Sequence, residues 1–202
     1  RLIPYSRQSI SEADIDAVVA VLRSPLITQG PLVPRFEGAL ADYLGAKHVV
    51  AVNSGTAALH LALLAHSVGL TSIFPVPALT FIATANAVLM CGAKPVFQDV
   101  DARNLLRQTY GITVDLFGQP TKGGPGYWIT DAAHSLGAQR DWSRGTYTLS
   151  FHPIKSITTA EGGAVVTDRS WVADKCRAMR DHGREGGLRT MLGFNYRMTE
   201  LA

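Results

Sequence analysis

The chain has 202 residues, of which 47% are hydrophobic and 17% charged, and its formal net charge is +3. This length allows one good hydrophobic core, and the composition is that of a globular protein. The basic residues are scattered, without the Lys/Arg run of a nucleic-acid arm, so we expect no nucleic-acid partner. No apolar run approaches the roughly 20 residues of a membrane span, so we expect no membrane partner. Two cysteines, Cys91 and Cys176, without a Cys-x-x-Cys, favour a cytoplasmic location.

Two helices are predicted near the N-terminus. Ser9 and Glu12 have the spacing of a capping box, and apolar residues then follow with a helical period until Ser24-Pro25. A second helix is expected from about Pro34 to a stop at Gly45.

From residue 48 onward, short strands alternate with helices. Strands are expected at 48–52, 73–76, 95–100, 112–116, 127–130, 147–151 and 164–167, with helices at 57–68, 81–90 and from about 172 to a stop at 183. This alternation predicts an α/β fold with a largely parallel sheet. The chain contains neither a P-loop, nor Gly-x-Gly-x-x-Gly, nor Gly-x-Ser-x-Gly, so the commonest nucleotide-binding and hydrolase signatures are missing.

Four segments that could carry chemistry each follow a predicted strand, at the edge where open α/β sheets bind ligands. The first, Asn53-Ser54-Gly55-Thr56, begins a helix whose free N–H groups and dipole suit a phosphate. An ordinary helix cap is the alternative. In the second segment, Phe81 could stack on a planar ring or belong to the core.

The third and fourth segments supply a carboxylate and an amine. Asp131 follows an apolar strand, where it could face a protonated pyridine nitrogen or cap a helix. His134 nearby could also be a structural, partly buried histidine. Lys155 lies among apolar residues, where a lowered pKa would allow a Schiff base, unless the side chain snorkels from a loop. A phosphate site, an aromatic ring, an Asp and a Lys in this order are what a pyridoxal phosphate site needs.

Three blocks make this combination more specific. They are Asn-Ser-Gly-Thr-Ala-Ala-Leu at 53–59, Asp-Ala-Ala-His-Ser-Leu-Gly at 131–137 and Ser-Phe-His-Pro-Ile-Lys-Ser-Ile-Thr-Thr-Ala-Glu-Gly-Gly at 150–163. The blocks resemble the signatures of the DegT-type family of sugar-nucleotide aminotransferases, and the resemblance covers nearly the whole chain. It implies the large domain of a fold type I pyridoxal phosphate enzyme, with a mostly parallel mixed sheet flanked by helices. Residues 1–202 would form this cofactor-binding domain and an N-terminal helical segment.

The resemblance also implies residue roles. Lys155 would carry the cofactor and act as general acid and base. Asp131 would pair with the ring nitrogen, Phe81 would stack on the ring, and His134 would lie against its other side or near the ring oxygen. The phosphate contacts would come from Ser54, Gly55, Thr56 and Ser150, and from Asn195 and Arg197 of a neighbouring subunit. A homodimer with shared active sites is therefore expected.

The implied reaction transfers an amino group from L-glutamate to a nucleotide-linked 4-keto-6-deoxy sugar. The block at 150–163 and an N-terminal block, Ile3-Pro4-Tyr5-Ser6-Arg7-Gln8, resemble most the family members that act on UDP-linked sugars of pseudaminic acid biosynthesis. Three alternatives stay open: another nucleotide-sugar pathway, a sugar dehydratase of the same fold, and a truncated, non-catalytic homologue. The dehydratases lack the cofactor lysine, so Lys155 argues against the second.

The chain also departs from the family pattern. It stops at Ala202, where a small C-terminal domain is expected to begin. The stretches after Leu105, Pro120 and Gly187 look short, because a parallel crossover needs about a dozen residues or more. The sequence therefore predicts that this chain lacks segments present in longer family members.

Overall fold

The computed structural model describes residues 6–101, 110–121 and 128–202. The expectations for residues 1–5 and for the short stretches at 102–109 and 122–127 lie outside the described residues.

The N-terminal segment contains helices α1, Glu12–Leu22, and α2, Leu32–Leu44. The predicted capping box at Ser9 and Glu12 is wrong. Ser11 caps α1 and exchanges hydrogen bonds with Asp14, whose carboxylate accepts from the Ser11 N–H at 2.8 Å. An Asp at the third helical position closes the box here, in place of the usual Glu or Gln.

The remaining elements alternate largely as predicted. In chain order they are β1 His48–Val52, α3 Gly55–Ala65, β2 Ile73–Pro77, α4 Ile82–Met90, β3 Lys94–Gln98, β4 Gly111–Val114, β5 Trp128–Asp131, β6 Thr146–Ser150, β7 Gly163–Thr167, α5 Ser170–Arg180, β8 Arg184–Glu185 and β9 Leu188–Arg189. The last two strands form a short antiparallel hairpin. No helix in the described part of the chain is long and apolar enough to cross a membrane.

Five strands form the main sheet, in the order β1-β7-β6-β5-β4. Strands β4, β5 and β6 are parallel, whereas β7 is antiparallel to both of its neighbours. Strands β2 and β3 form a separate parallel pair, and β2 lies beside β4. The prediction of a mostly parallel mixed sheet is confirmed.

Helices cover both faces of this sheet because buried residues alternate along the strands. In β1, Val50 and Val52 belong to the apolar cluster that contains α3 and α5. Val49 and Ala51 belong to the cluster on the other face, which contains residues of α2. The prediction of flanking helices is confirmed as well.

The topology brings several strand ends to one edge. Strands β1 and β6 run in the same direction because both are antiparallel to β7. The carboxyl ends of β1, β4, β5 and β6 therefore meet at one edge, and the register aligns Val52, Gly163 and Ser150 in one row.

Candidate active site

The turn between β1 and α3 lies against the end of β6. The Ser54 hydroxyl caps α3 by accepting from the Ala57 N–H at 3.1 Å. The N–H groups of Gly55 and Thr56 make no hydrogen bond within the described residues. A Cβ on Gly55 would lie 3.3 Å from the Ser150 hydroxyl oxygen, so the two segments are in contact. Free N–H groups at the positive end of a helix, next to a hydroxyl, suit a phosphate.

Gly163, which the sequence analysis did not single out, allows this close approach. A Cβ at this position would lie 2.5 Å from the carbonyl of Ser54 and 2.6 Å from the nitrogen of Gly55. Any side chain at 163 would therefore displace the turn from Ser150. The only signal in the sequence is the Gly-Gly pair that precedes a β-branched run.

Asp131 is a buried carboxylate at the end of β5, with 8% of its surface exposed. It accepts hydrogen bonds from the Thr84 hydroxyl at 3.0 Å and from the Ala133 N–H at 3.2 Å. Burial raises the pKa of Asp131, and these two hydrogen bonds oppose that effect. No ion pair with Asp131 is present among the residues that the structure describes. Turns rather than a helix follow Asp131, so the helix-cap alternative does not apply.

Thr84 was missed by the sequence analysis. It is fully buried in the first turn of α4, and its hydroxyl also contacts the Thr80 hydroxyl at 2.8 Å. The two threonines therefore orient Asp131 from the loop that carries Phe81. The only hint in the sequence was that Thr84, a hydroxyl residue, lies three residues after Phe81. Its pairing with Asp131 depends on the tertiary structure.

Lys155 lies in the loop between β6 and β7, which is closed at its base by Phe151. The Phe151 carbonyl accepts from the Thr159 N–H at 3.0 Å and from the Thr158 hydroxyl at 3.1 Å. Phe151 itself is fully buried and packs edge-on against Phe36. Lys155 is thus presented, partly buried, by a loop with a rigid base.

Electrostatics connects Lys155 with Asp131 and His134. Desolvation lowers the pKa of Lys155, and the negative charge of Asp131 opposes this. Desolvation, followed by the charge of Lys155, lowers the pKa of His134, while Asp131 raises it. The structure thus brings together three residues that were selected from two separate motifs.

Phe81 directly precedes α4 and is 73% exposed, so it does not belong to the core. An exposed aromatic ring at the same sheet edge is available to stack on a planar group.

Asn195 and Tyr196 lie close to the start of α3 in their own chain. The Asn53 N–H donates to the Tyr196 carbonyl at 3.0 Å, and the Asn53 side chain donates to the Asn195 carbonyl at 3.4 Å. Arg197 pairs with Asp181 at 2.5 Å. The structure thus places this segment beside the β1–α3 turn of its own chain, whereas the resemblance implies contact with the phosphate site of a neighbouring subunit. Sequence alone could not reveal the long-range pairing of Asn53 with Tyr196.

A buried ion pair, also missed from the sequence, supports the segment after Asp131. Asp115 follows β4 and accepts from Arg140 Nη2 at 2.9 Å, from the Thr121 N–H at 2.8 Å and from the Ser135 hydroxyl. Arg140 Nη1 lies 2.8 Å from the other carboxylate oxygen, without hydrogen-bond geometry. The guanidinium also lies over the rings of Trp142 and Tyr147. This network ties the end of β4 to the loop that carries His134.

The site fits a pyridine ring that carries a phosphate. Asp131 is buried without a direct ion pair in the described part of the chain, and a protonated ring nitrogen would supply one. Unpaired N–H groups near Ser150 match the phosphate, and Lys155 matches the amine that binds the aldehyde of pyridoxal phosphate. Among the described residues, no group of three His, Cys, Asp or Glu side chains is placed to hold a metal ion.

Comparisons with known proteins agree with this geometry. The chain belongs to the DegT/DnrJ/EryC1/StrS aminotransferase family, whose model matches residues 8–114 and 127–202. It is 37% identical, over 235 residues, to the UDP-4-amino-4,6-dideoxy-N-acetyl-beta-L-altrosamine transaminase of Campylobacter jejuni subsp. jejuni serotype O:2. That match covers 100% of this chain and 62% of the relative. The chain thus spans less than two thirds of this relative's length. The aligned region of the relative is also longer than the 202 residues here.

Solved structures give the same result. PseC of Helicobacter pylori, an aminotransferase involved in the biosynthesis of pseudoaminic acid, superposes with a TM-score of 0.86 at 31% identity, covering 100% of this chain and 63% of that one. The ntda protein of Bacillus subtilis, solved with bound cofactor PMP, superposes with a TM-score of 0.84 at 27% identity, covering 95% of this chain and 51% of that one. The predicted fold type I architecture is confirmed, and ntda, a solved structure with this fold, holds PMP, a form of the cofactor that the sequence predicts.

Proposed function

We propose that this chain is the cofactor-binding large domain of a pyridoxal-phosphate-dependent aminotransferase. Its substrates are L-glutamate and a nucleotide-linked 4-keto-6-deoxy sugar. The observation that carries the proposal is Asp131, a buried carboxylate that forms no direct ion pair within the described residues and interacts electrostatically with Lys155. Burying a carboxylate without an ion pair costs free energy. A carboxylate that faces a protonated ring nitrogen instead gains an oppositely charged partner.

Each residue then has a defined task. The bound cofactor supplies the electron sink for the reaction. Asp131 keeps the ring nitrogen protonated, and the Thr84 hydroxyl fixes the orientation of the Asp131 carboxylate. The lowered pKa of Lys155 favours the neutral amine, which is the form that accepts a proton from the substrate carbon. The N–H groups of Gly55 and Thr56, together with the Ser150 hydroxyl, orient the phosphate.

The identity of the acceptor is inferred from the relatives. The Campylobacter jejuni relative is named for a UDP-linked amino sugar, and the Helicobacter pylori structure is described as acting in pseudoaminic acid biosynthesis. We therefore infer a UDP-linked acceptor. A sugar linked to another nucleotide, and a non-catalytic homologue, are the alternatives that the experiments must separate. The cytoplasmic location predicted from the two unpaired cysteines belongs to the same proposal.

Absorbance spectra and turnover test the cofactor site. The 202-residue chain mixed with pyridoxal phosphate should give a visible band that Lys155→Ala abolishes together with turnover. Asp131→Asn should keep the fold but lower turnover by orders of magnitude, because the ring nitrogen loses its charged partner. Lys47→Ala is the control, since the Lys47 side chain is 72% exposed and its ion pair with Asp168 is long, at 4.0 Å. Full turnover by Lys155→Ala would refute the assignment, and a band without any turnover would favour the non-catalytic homologue.

We further propose that two subunits share each site, with Asn195 contributing to the phosphate site of the partner. Asn195 is exposed, and its side chain makes no hydrogen bond within the described residues, whereas Arg197 is engaged by Asp181. Asn195 is therefore the better residue to test, because Arg197→Ala would also break an ion pair. Mixed subunits of Lys155→Ala and Asn195→Ala should regain activity through heterodimers that hold one intact site. If the mixture stays inactive while size measurements show subunit exchange, the site is not shared.

A further inference from the structure

Phe117 has a backbone conformation that bulky residues rarely adopt. Its φ of 54° and ψ of 27° lie in the left-handed region, where a Cβ approaches the following carbonyl oxygen. The residue is also 81% exposed to solvent. Both features disfavour stability, and strained residues of this kind concentrate at functional sites.

The neighbours of Phe117 impose this conformation. On one side, Asp115 is fixed by the buried ion pair with Arg140. The Gly118 N–H donates to the Asp115 carbonyl at 3.2 Å, and the Gln119 N–H donates to the Leu116 carbonyl at 3.0 Å. The turn over Leu116–Gly118 is therefore closed by hydrogen bonds on both sides of Phe117, which hold its backbone in this conformation.

The turn lies at the edge of the sheet that holds the candidate site. Val114 pairs with Asp131 across the β4–β5 ladder, and the Asp115 N–H donates to the Asp131 carbonyl at 3.0 Å. A Cβ on Gly118 would lie 3.1 Å from the His134 carbonyl oxygen. Strand β5 lies on one side of β4 and β2 lies on the other. The loop that carries Phe81 follows β2. Phe117 is thus placed between the loops of Phe81 and His134.

We propose that Phe117 is a substrate-contacting residue that packs its ring against the sugar of the nucleotide-linked acceptor. This inference rests on the proposed function. The resemblance already assigns one exposed aromatic residue, Phe81, to the cofactor ring, so we assign the second exposed ring to a different group. A 6-deoxy sugar offers an apolar surface of C–H groups and a methyl group, which an aromatic face binds better than water does.

Calorimetric titration tests this assignment without turnover. The chain is loaded with pyridoxamine phosphate, which cannot transfer its amino group to an amine, and is titrated with UDP-4-amino-4,6-dideoxy-N-acetyl-beta-L-altrosamine and separately with UDP. Phe117→Asn removes the ring, and Asn tolerates the left-handed conformation. It should raise the Kd for the nucleotide sugar roughly tenfold, the size of one aromatic contact, and leave the Kd for UDP unchanged. Phe117→Tyr should bind the sugar like the unmodified chain.

Stability provides an independent readout. Phe117→Asn should raise the melting temperature because it relieves strain, so weaker binding cannot result from unfolding. Phe97→Asn is the matched control: Phe97 is 56% exposed in β3, away from the turn, and its replacement should leave the Kd unchanged without raising stability. Equal Kd values for Phe117→Asn and the unmodified chain overturn the proposal, as does an equal loss of UDP affinity. If the unmodified chain binds the nucleotide sugar but glutamate never converts its pyridoxal phosphate form, the proposed function alone fails.

Discussion

Breaking the Asp115–Arg140 pair should destabilise the fold strongly. The side chain of Asp115 is fully buried and that of Arg140 is 6% exposed. Asp115→Ala leaves the guanidinium buried between Trp142 and Tyr147 without a carboxylate. Removing one partner of such a pair typically costs about 3–5 kcal/mol. For a chain of this length, that loss corresponds to a fall in melting temperature of roughly 6–20 °C.

A double-mutant cycle with thermal unfolding measures the effect. Replacing both partners, in Asp115→Ala/Arg140→Met, removes the uncompensated charge and should recover most of the stability lost in Arg140→Met or Asp115→Ala. The exposed pair of Arg144 with Asp141 is the matched control, because its side chains are 82% and 49% exposed. Arg144→Ala should shift the melting temperature far less. If Asp115→Ala costs no more than Arg144→Ala, the buried pair does not hold the end of β4 as described.

Three further predictions follow from single residues. Ala160 has a φ of 61°, so Ala160→Gly should raise the free energy of unfolding by about 1 kcal/mol in denaturant titrations; no gain would argue against that conformation. Burial, with the nearby charges of Arg169 and Lys175, lowers the pKa of His66 from 6.5 to about 4, which NMR titration can check. Because the unfolded chain binds this proton more readily, stability should fall between pH 6.5 and 4, and less steeply in His66→Gln. Glu200 accepts from the Leu32 N–H at 2.6 Å at the start of α2, so Glu200→Ala should lose about 1 kcal/mol, whereas unchanged stability would exclude this cap.

Local patterns in the sequence determined most elements and the candidate cofactor residues. The alternation of short apolar strands and helices predicted the α/β sheet, because the spacing of apolar residues along each element reflects which of its faces is buried. The positions of Gly55, Asp131 and Lys155 after strands predicted a common edge, because parallel strands end on the same side of a sheet. The blocks around these residues also identified the family, since each lies within a short, continuous segment.

Only the tertiary structure decided which distant side chains meet. Thr84 orients Asp131, Arg140 pairs with Asp115, and Glu200 caps α2 at Leu32 from the far end of the chain. Each contact depends on which elements pack side by side, and a single sequence contains no local signal for that. The strained turn at Phe117 has the same origin, because hydrogen bonds and a buried ion pair on its flanks impose a conformation that phenylalanine does not favour by itself.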